Sequence, residues 1–166
     1  MISFPKAMRL AAPGDERRIF DLFVTAHAEN GWGDLDVQIV QDTIVKATGR
    51  EGIAIAIIDG PERIEAAIGL HSRKADWYNS EAASNWVWHD ILIYVHPLYR
   101  RSRHAMKLFQ FAQWWEQQIK MPVVLGLLPR QRFEEKERLF ARHGRRIGSA
   151  YLIGSTGGPE IDNARH

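Results

Sequence analysis

The stretch Ile91-Leu92-Ile93-Tyr94-Val95-His96-Pro97-Leu98-Tyr99-Arg100-Arg101-Ser102-Arg103-His104-Ala105 concentrates the residues best suited to chemistry. A β-branched apolar run passes into a basic turn, and the turn opens a segment with helical spacing. The amides of a first helical turn have no acceptor of their own, and the helix dipole places positive charge there. Three arginines in the same turn add to it, so the segment suits an anion, and a diphosphate fits it well. The alternative is a solvated cationic helix start. Residues 99–107 carry four basic side chains and no acid, and residues 130–146 carry seven basic side chains against three acids. The second cluster has three readings: it flanks the phosphates of a ligand, it meets a nucleic acid backbone, or it is an ordinary solvated helix face.

Other chemistries are excluded by composition. The chain has 166 residues and no cysteine, so disulfides, thiol nucleophiles and cysteine-bearing metal sites are ruled out. The seven histidines lack ligand spacing, there is no H-E-x-x-H or carboxylate cluster, and no metal is expected. Neither a G-x-S-x-G elbow nor a phosphate-loop lysine signature is present. The apolar fraction of 45% and charged fraction of 25% are those of a globular protein, and a net charge of +2 is too small for general nucleic-acid binding. No apolar run approaches a membrane span and the N-terminus lacks the core of a signal peptide, so a cytoplasmic protein without membrane contact is expected.

The elements that must position the basic turn follow from periodicity. Met8–Ala11 reads as a short strand, and Asp15 as the cap of a helix ending near Asn30-Gly31, with Ile19, Leu22, Phe23 and Ala26 on its apolar face. A second helix runs from Asp36 to about Ala47 and buries Val37, Val40, Ile44 and Ala47. Ile53–Ile58 and Ile64–His71 form a hairpin, residues 72–85 a polar loop, and Trp86–Val95 a long strand. Ser102 caps a helix over about 103–119, on which Ala105, Leu108, Phe109, Ala112, Trp115 and Ile119 make the core stripe. Trp114 beside them is a candidate partner surface. Pro122–Leu128 is a strand, 131–143 an amphipathic helix anchored by Phe133, Leu139 and Phe140, and Ile147–Ile153 a last strand. The order β-α-α-β-β-β-α-β-α-β predicts one α/β domain over 1–154, a mixed sheet with helices on both faces, followed by a tail over 155–166.

This order, the V-H-P-x-Y-R run and the helix after it resemble the GNAT N-acetyltransferase superfamily, over about residues 8–154. Arg100 and Ala105 match the outer positions of the family's Q/R-x-x-G-x-G/A pyrophosphate loop, while Arg103 stands where it has glycine. Arg138-Leu139-Phe140-Ala141-Arg142-His143-Gly144 is similar to its L-Y-x-x-x-G-F segment, and Met8–Asp15 to its first strand and capped helix. The run Y-R-R-S-x-H-A looks most like small GNAT proteins of tailed phages, which would place the protein in a host cytoplasm.

The resemblance implies an acyltransferase that moves an acetyl group from acetyl-CoA to an amine by direct attack. The strand ending at Val95 would splay from its neighbour Val123–Leu128. Ile93, Tyr94 and Val95 would bond the pantetheine arm through their main chain, and a strand amide would polarise the thioester carbonyl. Arg100, Arg101, Ser102, Arg103, His104, Ala105 and Lys107 would hold the phosphates. The base would be His89, where the family often has glutamate, on one face with Ile91, Ile93 and Val95 by strand alternation; Asp90 is the second choice. Phe140 replaces the family's acidic tyrosine. Either the thiolate leaves unassisted, or Tyr151 or water substitutes, or the protein binds CoA without efficient turnover. Glu29, Trp32, Trp77, Tyr78, Trp86 and Trp88 fall beside the acceptor pocket, Glu29 as a partner for a cationic amine, with core or rim positions as the alternative for the aromatics. A nucleic acid at 130–146, as in phage DNA modification, and a homodimer complete the candidate partners.

Overall fold

The computed structural model describes residues 2–31, 33–74, 86–126 and 133–143. In chain order the elements are β1 (Arg9–Leu10), α1 (Glu16–Asn30), α2 (Val37–Thr48), β2 (Ile53–Asp59), β3 (Ile64–Lys74), β4 (Trp86–Val95), α3 (His104–Ile119), β5 (Val123–Val124) and α4 (Phe133–His143), with a single 3-10 turn at Pro97–Tyr99 between β4 and α3. The five strands lie in the sheet in sequence order. β1 to β4 are antiparallel, and β5 is parallel to β4 after the crossover through α3. This is the expected mixed α/β architecture. The last expected strand, Ile147–Ile153, and the tail lie outside the described residues.

The sheet carries an apolar layer on each face, which is why β2 reads as an unbroken apolar run. Ile55, Ile57, Ala67 and Tyr94 pack with Ile19, Leu22 and Ile44 of α1 and α2. Ala54, Ala56, Ile68 and Leu70 pack on the opposite face with Leu108, Phe111 and Ala112 of α3.

Several local expectations change. Asp15 makes no side-chain cap on α1. Arg9 holds its carboxylate in a two-pronged pair at 2.6 and 2.8 Å, and the Ala12 amide donates to it as well, so the charge is used in the turn before the helix. Asp36 does cap α2, accepting from the Ile39 amide at 3.0 Å. Val37, expected on the buried face, is exposed at the N-terminal end of the helix, beyond the reach of the core that covers Val40, Ile44 and Ala47. β3 continues through Ser72, Arg73 and Lys74, which pair with the start of β4. β5 is shorter than expected. Ser102 accepts from the His104 amide at 3.1 Å, while Arg103 occupies the cap position without a side-chain bond. Trp114 packs edge-on against Phe4 at 4.8 Å and is half-buried against the α3-side core.

Candidate active site

The β3–β4 register breaks at one place. Gly69 opposes Leu92 and Leu70 opposes Asp90, so Ile91 is a bulged residue without a partner. Gly69 makes the room: a Cβ there would lie 2.8 Å from Ile91 Cγ1. The extra residue inverts the alternation, which corrects the expectation that His89 shares a face with Ile93 and Val95. His89 opposes His71 on the α1/α2 face, with Leu92 and Tyr94. Asp90 opposes Leu70 on the α3 face, with Trp88, Ile93 and Val95.

On its other edge β4 pairs with β5 only at Trp88 and His89, opposite Val123 and Val124. From Asp90 to Val95 that edge has no strand partner among the described residues. A cleft of about 520 Å³ opens there, walled by the C-terminal end of α1, the start of α3, Gly126 and α4. Glu29, His89, Asp90, Ile93, Tyr94, Val95, Arg100 and Ala105 all line it. The sequence had named each of these.

At the floor, the His89 ring lies 3.0 Å from the Asp90 carbonyl through Nδ1. A carbonyl only accepts, so Nδ1 carries a proton, and in the tautomer this bond selects the lone pair lies on Nε2. The Asp90 carboxylate accepts the Gly126 amide and sits 3.5 Å from His89 Nδ1. Burial pushes its pKa above the usual carboxylate range, against the pull of Gly126 and His89. Burial and the facing His89 ring, 6.2 Å away, push the pKa of His71 down.

At the α1 wall a second cluster appears that the sequence did not bring together. Tyr94 Oη donates to Glu29 at 2.8 Å, and Arg100 forms an ion pair with the same carboxylate oxygen. Burial would raise Glu29, but Tyr94 and Arg100 together outweigh it and hold its pKa below the ordinary range. Burial, reinforced by Glu29, pushes Tyr94 up to about 12. Lys136 of α4 donates to Asn30 at 3.2 Å and closes the cluster. Glu29 is therefore already engaged, and the Arg100 side chain turns toward it.

The turn before α3 presents the remaining cations outward. Arg101 and Arg103 are exposed, and among the described residues neither is in an ion pair. Arg103 has φ −89° and ψ 16°, so its lack of glycine's freedom strains nothing. The first bond inside α3 runs from the Lys107 amide to the Arg103 carbonyl at 3.2 Å, which places the Ala105 and Met106 amides ahead of the ladder. The His104 side chain is committed to Glu65, at 2.6 Å.

Two aromatic expectations are displaced. Trp88 is 8% exposed and packs edge-on against Trp115 at 5.1 Å in the α3-side core, away from the cleft. The bulge puts it there. Trp86, 42% exposed, stands at the start of β4. Phe140 lines the cleft and packs edge-on against Phe109 at 4.9 Å. Trp32, Trp77, Tyr78 and Tyr151 lie outside the described residues. Among the described residues no group of three potential metal ligands occurs, and no helix is long and apolar enough to cross a membrane.

No family profile matches the sequence, and neither does any curated protein. Solved structures do match. A predicted acetyltransferase from Clostridium acetobutylicum, solved with acetyl-CoA, has a TM-score of 0.72 at 10% identity, over 89% of this chain and 94% of the other. A GCN5-related N-acetyltransferase from Ralstonia eutropha has 0.66 at 17% identity, over 90% and 98%. AAC(6')-Iy in complex with a CoA-linked bisubstrate analogue has 0.66 at 12% identity, over 91% and 97%. The fold is that of the GNAT acetyltransferases.

Proposed function

We propose that the protein is an acyl-CoA-dependent N-acyltransferase, moving an acetyl group from acetyl-CoA to an amine. The open β4 edge from Asp90 to Val95, running directly into an arginine-bearing turn and the start of α3, carries this reading. The edge offers main-chain groups to an extended chain, as in strand addition. The turn offers Arg101, Arg103 and Lys107 with the free amides of α3 to phosphates. Two solved structures of the same fold hold acetyl-CoA or a CoA-linked analogue.

Acetyl-CoA supplies the thioester carbonyl and a thiolate leaving group. His89 Nε2 accepts the proton of the attacking amine, with the ring held in that tautomer by the Asp90 carbonyl. A β4 amide on the open edge stabilises charge developing on the carbonyl oxygen. Tyr94, bonded to Glu29 and pushed up to about 12, is poorly suited to protonate the departing thiolate. The acceptor enters from the α1/α2 side, where His89 and the Glu29 cluster face the cleft. Phe140, packed on Phe109, favours one second reading, a protein of this fold that holds CoA with weak turnover. In the described part of the 130–146 segment, Lys136, Arg138 and Arg142 alternate with Glu134, Glu135 and Glu137, which favours an ordinary helix face over a nucleic-acid contact. The tailed-phage likeness, the host compartment and the homodimer rest on sequence alone.

Titration calorimetry with acetyl-CoA, followed by thiol release across a panel of amines, tests the proposal. With no cysteine in the chain, a thiol-reactive dye reports CoA without background. Micromolar binding with amine-dependent release is expected. Absence of binding at millimolar acetyl-CoA refutes both readings, and binding without release for any amine favours the second.

A further inference from the structure

We propose that Asp90 is a positioning residue that holds the cleft open, its carboxylate taking the hydrogen bond that would otherwise extend the β4–β5 ladder. The inference rests on the cleft being the CoA site.

The ladder begins regularly, with the Trp88 amide donating to the Pro122 carbonyl at 2.9 Å. Continuing the register of Trp88 with Val123 puts Asp90 opposite Leu125. The next rung of a parallel pair would then run from the Gly126 amide to the Asp90 carbonyl. Both groups are diverted. The Gly126 amide donates to Asp90 Oδ1, and the Asp90 carbonyl receives His89 Nδ1 at 3.0 Å. Neither main-chain group is left unsatisfied, so separating the strands leaves no orphan at the branch point.

The side chain therefore stands between the two backbones as a spacer. The acceptor oxygen reaches the Gly126 amide from the side chain, so the bond forms without the two backbones closing on each other. The Ile91 bulge acts in the same direction, because Asp90 sits immediately before it and the strand changes course there. Beyond this point the β4 edge has no strand partner among the described residues. The assignment removes Asp90 from the proton transfer and makes it the cause of the gap in which His89 works.

The test uses the whole chain with acetyl-CoA as probe. Asp90→Asn keeps an oxygen for the Gly126 amide and should bind within about threefold of wild type, whereas Asp90→Ala should bind at least roughly tenfold more weakly. Rescue by Asn separates spacing from a general loss of stability. Equal binding by Asp90→Ala and wild type, or an equal loss in both variants, overturns the proposal. A measurement on the wild type is independent of whether the variants fold. The trans-hydrogen-bond scalar coupling from the Gly126 amide nitrogen should reach the side-chain carboxyl carbon of Asp90, and a coupling to its main-chain carbonyl carbon overturns the proposal. If that side-chain coupling is present but wild type fails to bind acetyl-CoA, the functional reading fails and the spacer itself stands.

Discussion

Gly69→Ala is the sharpest perturbation of the bulge that organises the site. The new methyl would lie 2.8 Å from Ile91 Cγ1, 3.2 Å from Cδ1 and 3.5 Å from Ile55 Cγ1. Cγ1 is close to the backbone, so the clash cannot be relieved by swinging a side-chain tip. Overpacking of this kind costs about 1–3 kcal/mol. For a chain of this size that lowers Tm by roughly 2–12 °C. Ile91→Ala removes both clashing carbons, so in a double-mutant cycle the second substitution should recover about 1 kcal/mol of the first loss. Differential scanning calorimetry of the four proteins reads the cycle, and acetyl-CoA titration reads its effect on the cleft. The Ile91 bulge sets the course of the open β4 edge, so Gly69→Ala should also weaken acetyl-CoA binding. An unchanged Tm together with strict additivity would refute the idea that Gly69 exists to seat Ile91.

Three further outcomes are expected. His89→Ala should lower kcat by about 10²–10⁴ while the acetyl-CoA Kd stays within roughly threefold; an unchanged kcat would remove His89 as the base. Replacing both Arg101 and Arg103 by Ala should raise the acetyl-CoA Kd by roughly tenfold or more at low salt, and the gap should narrow in 1 M salt as screening shortens to about 3 Å. Acid stability should depend on Asp15. The Arg9 hydrogen bond, opposed by burial, lowers its pKa below the ordinary 3.8, so its stabilisation is present above that value and lost as pH falls through the depressed folded value. The Tm difference between wild type and Asp15→Asn should be full at neutral pH and should shrink below about pH 4, and a difference independent of pH would contradict it.

What the sequence made legible is what local pattern controls. Both ends of β4, the start of α2 beside Asp36 and the turn into α3 are set by neighbouring residues, and they were readable. The face assignments along β4 were not, because alternation assumes an unbroken register. A signal was present, since Gly69 interrupts an otherwise apolar strand and such a glycine marks a bulge or a close approach. Taking it into account would have moved Trp88 into the core and separated His89 from Ile93. The Glu29 cluster had no local signal: Tyr94 and Arg100 lie 65 and 71 residues away along the chain. Phe111, fully buried, falls off the single stripe expected for α3 because that helix also packs toward Phe4 and the β1 end of the sheet.

β5 is attached more lightly than β2, β3 and β4 are to one another. β3 is zipped to β2 and β4 along most of its length, whereas two residues of β5 join the sheet. The antiparallel pairing of β2, β3 and β4 can then behave as one cooperative block, with the parallel join as a lighter seam beside it. A guest inserted at that seam disturbs few backbone bonds. Adjustments to differently shaped guests can be absorbed there without propagating into that block.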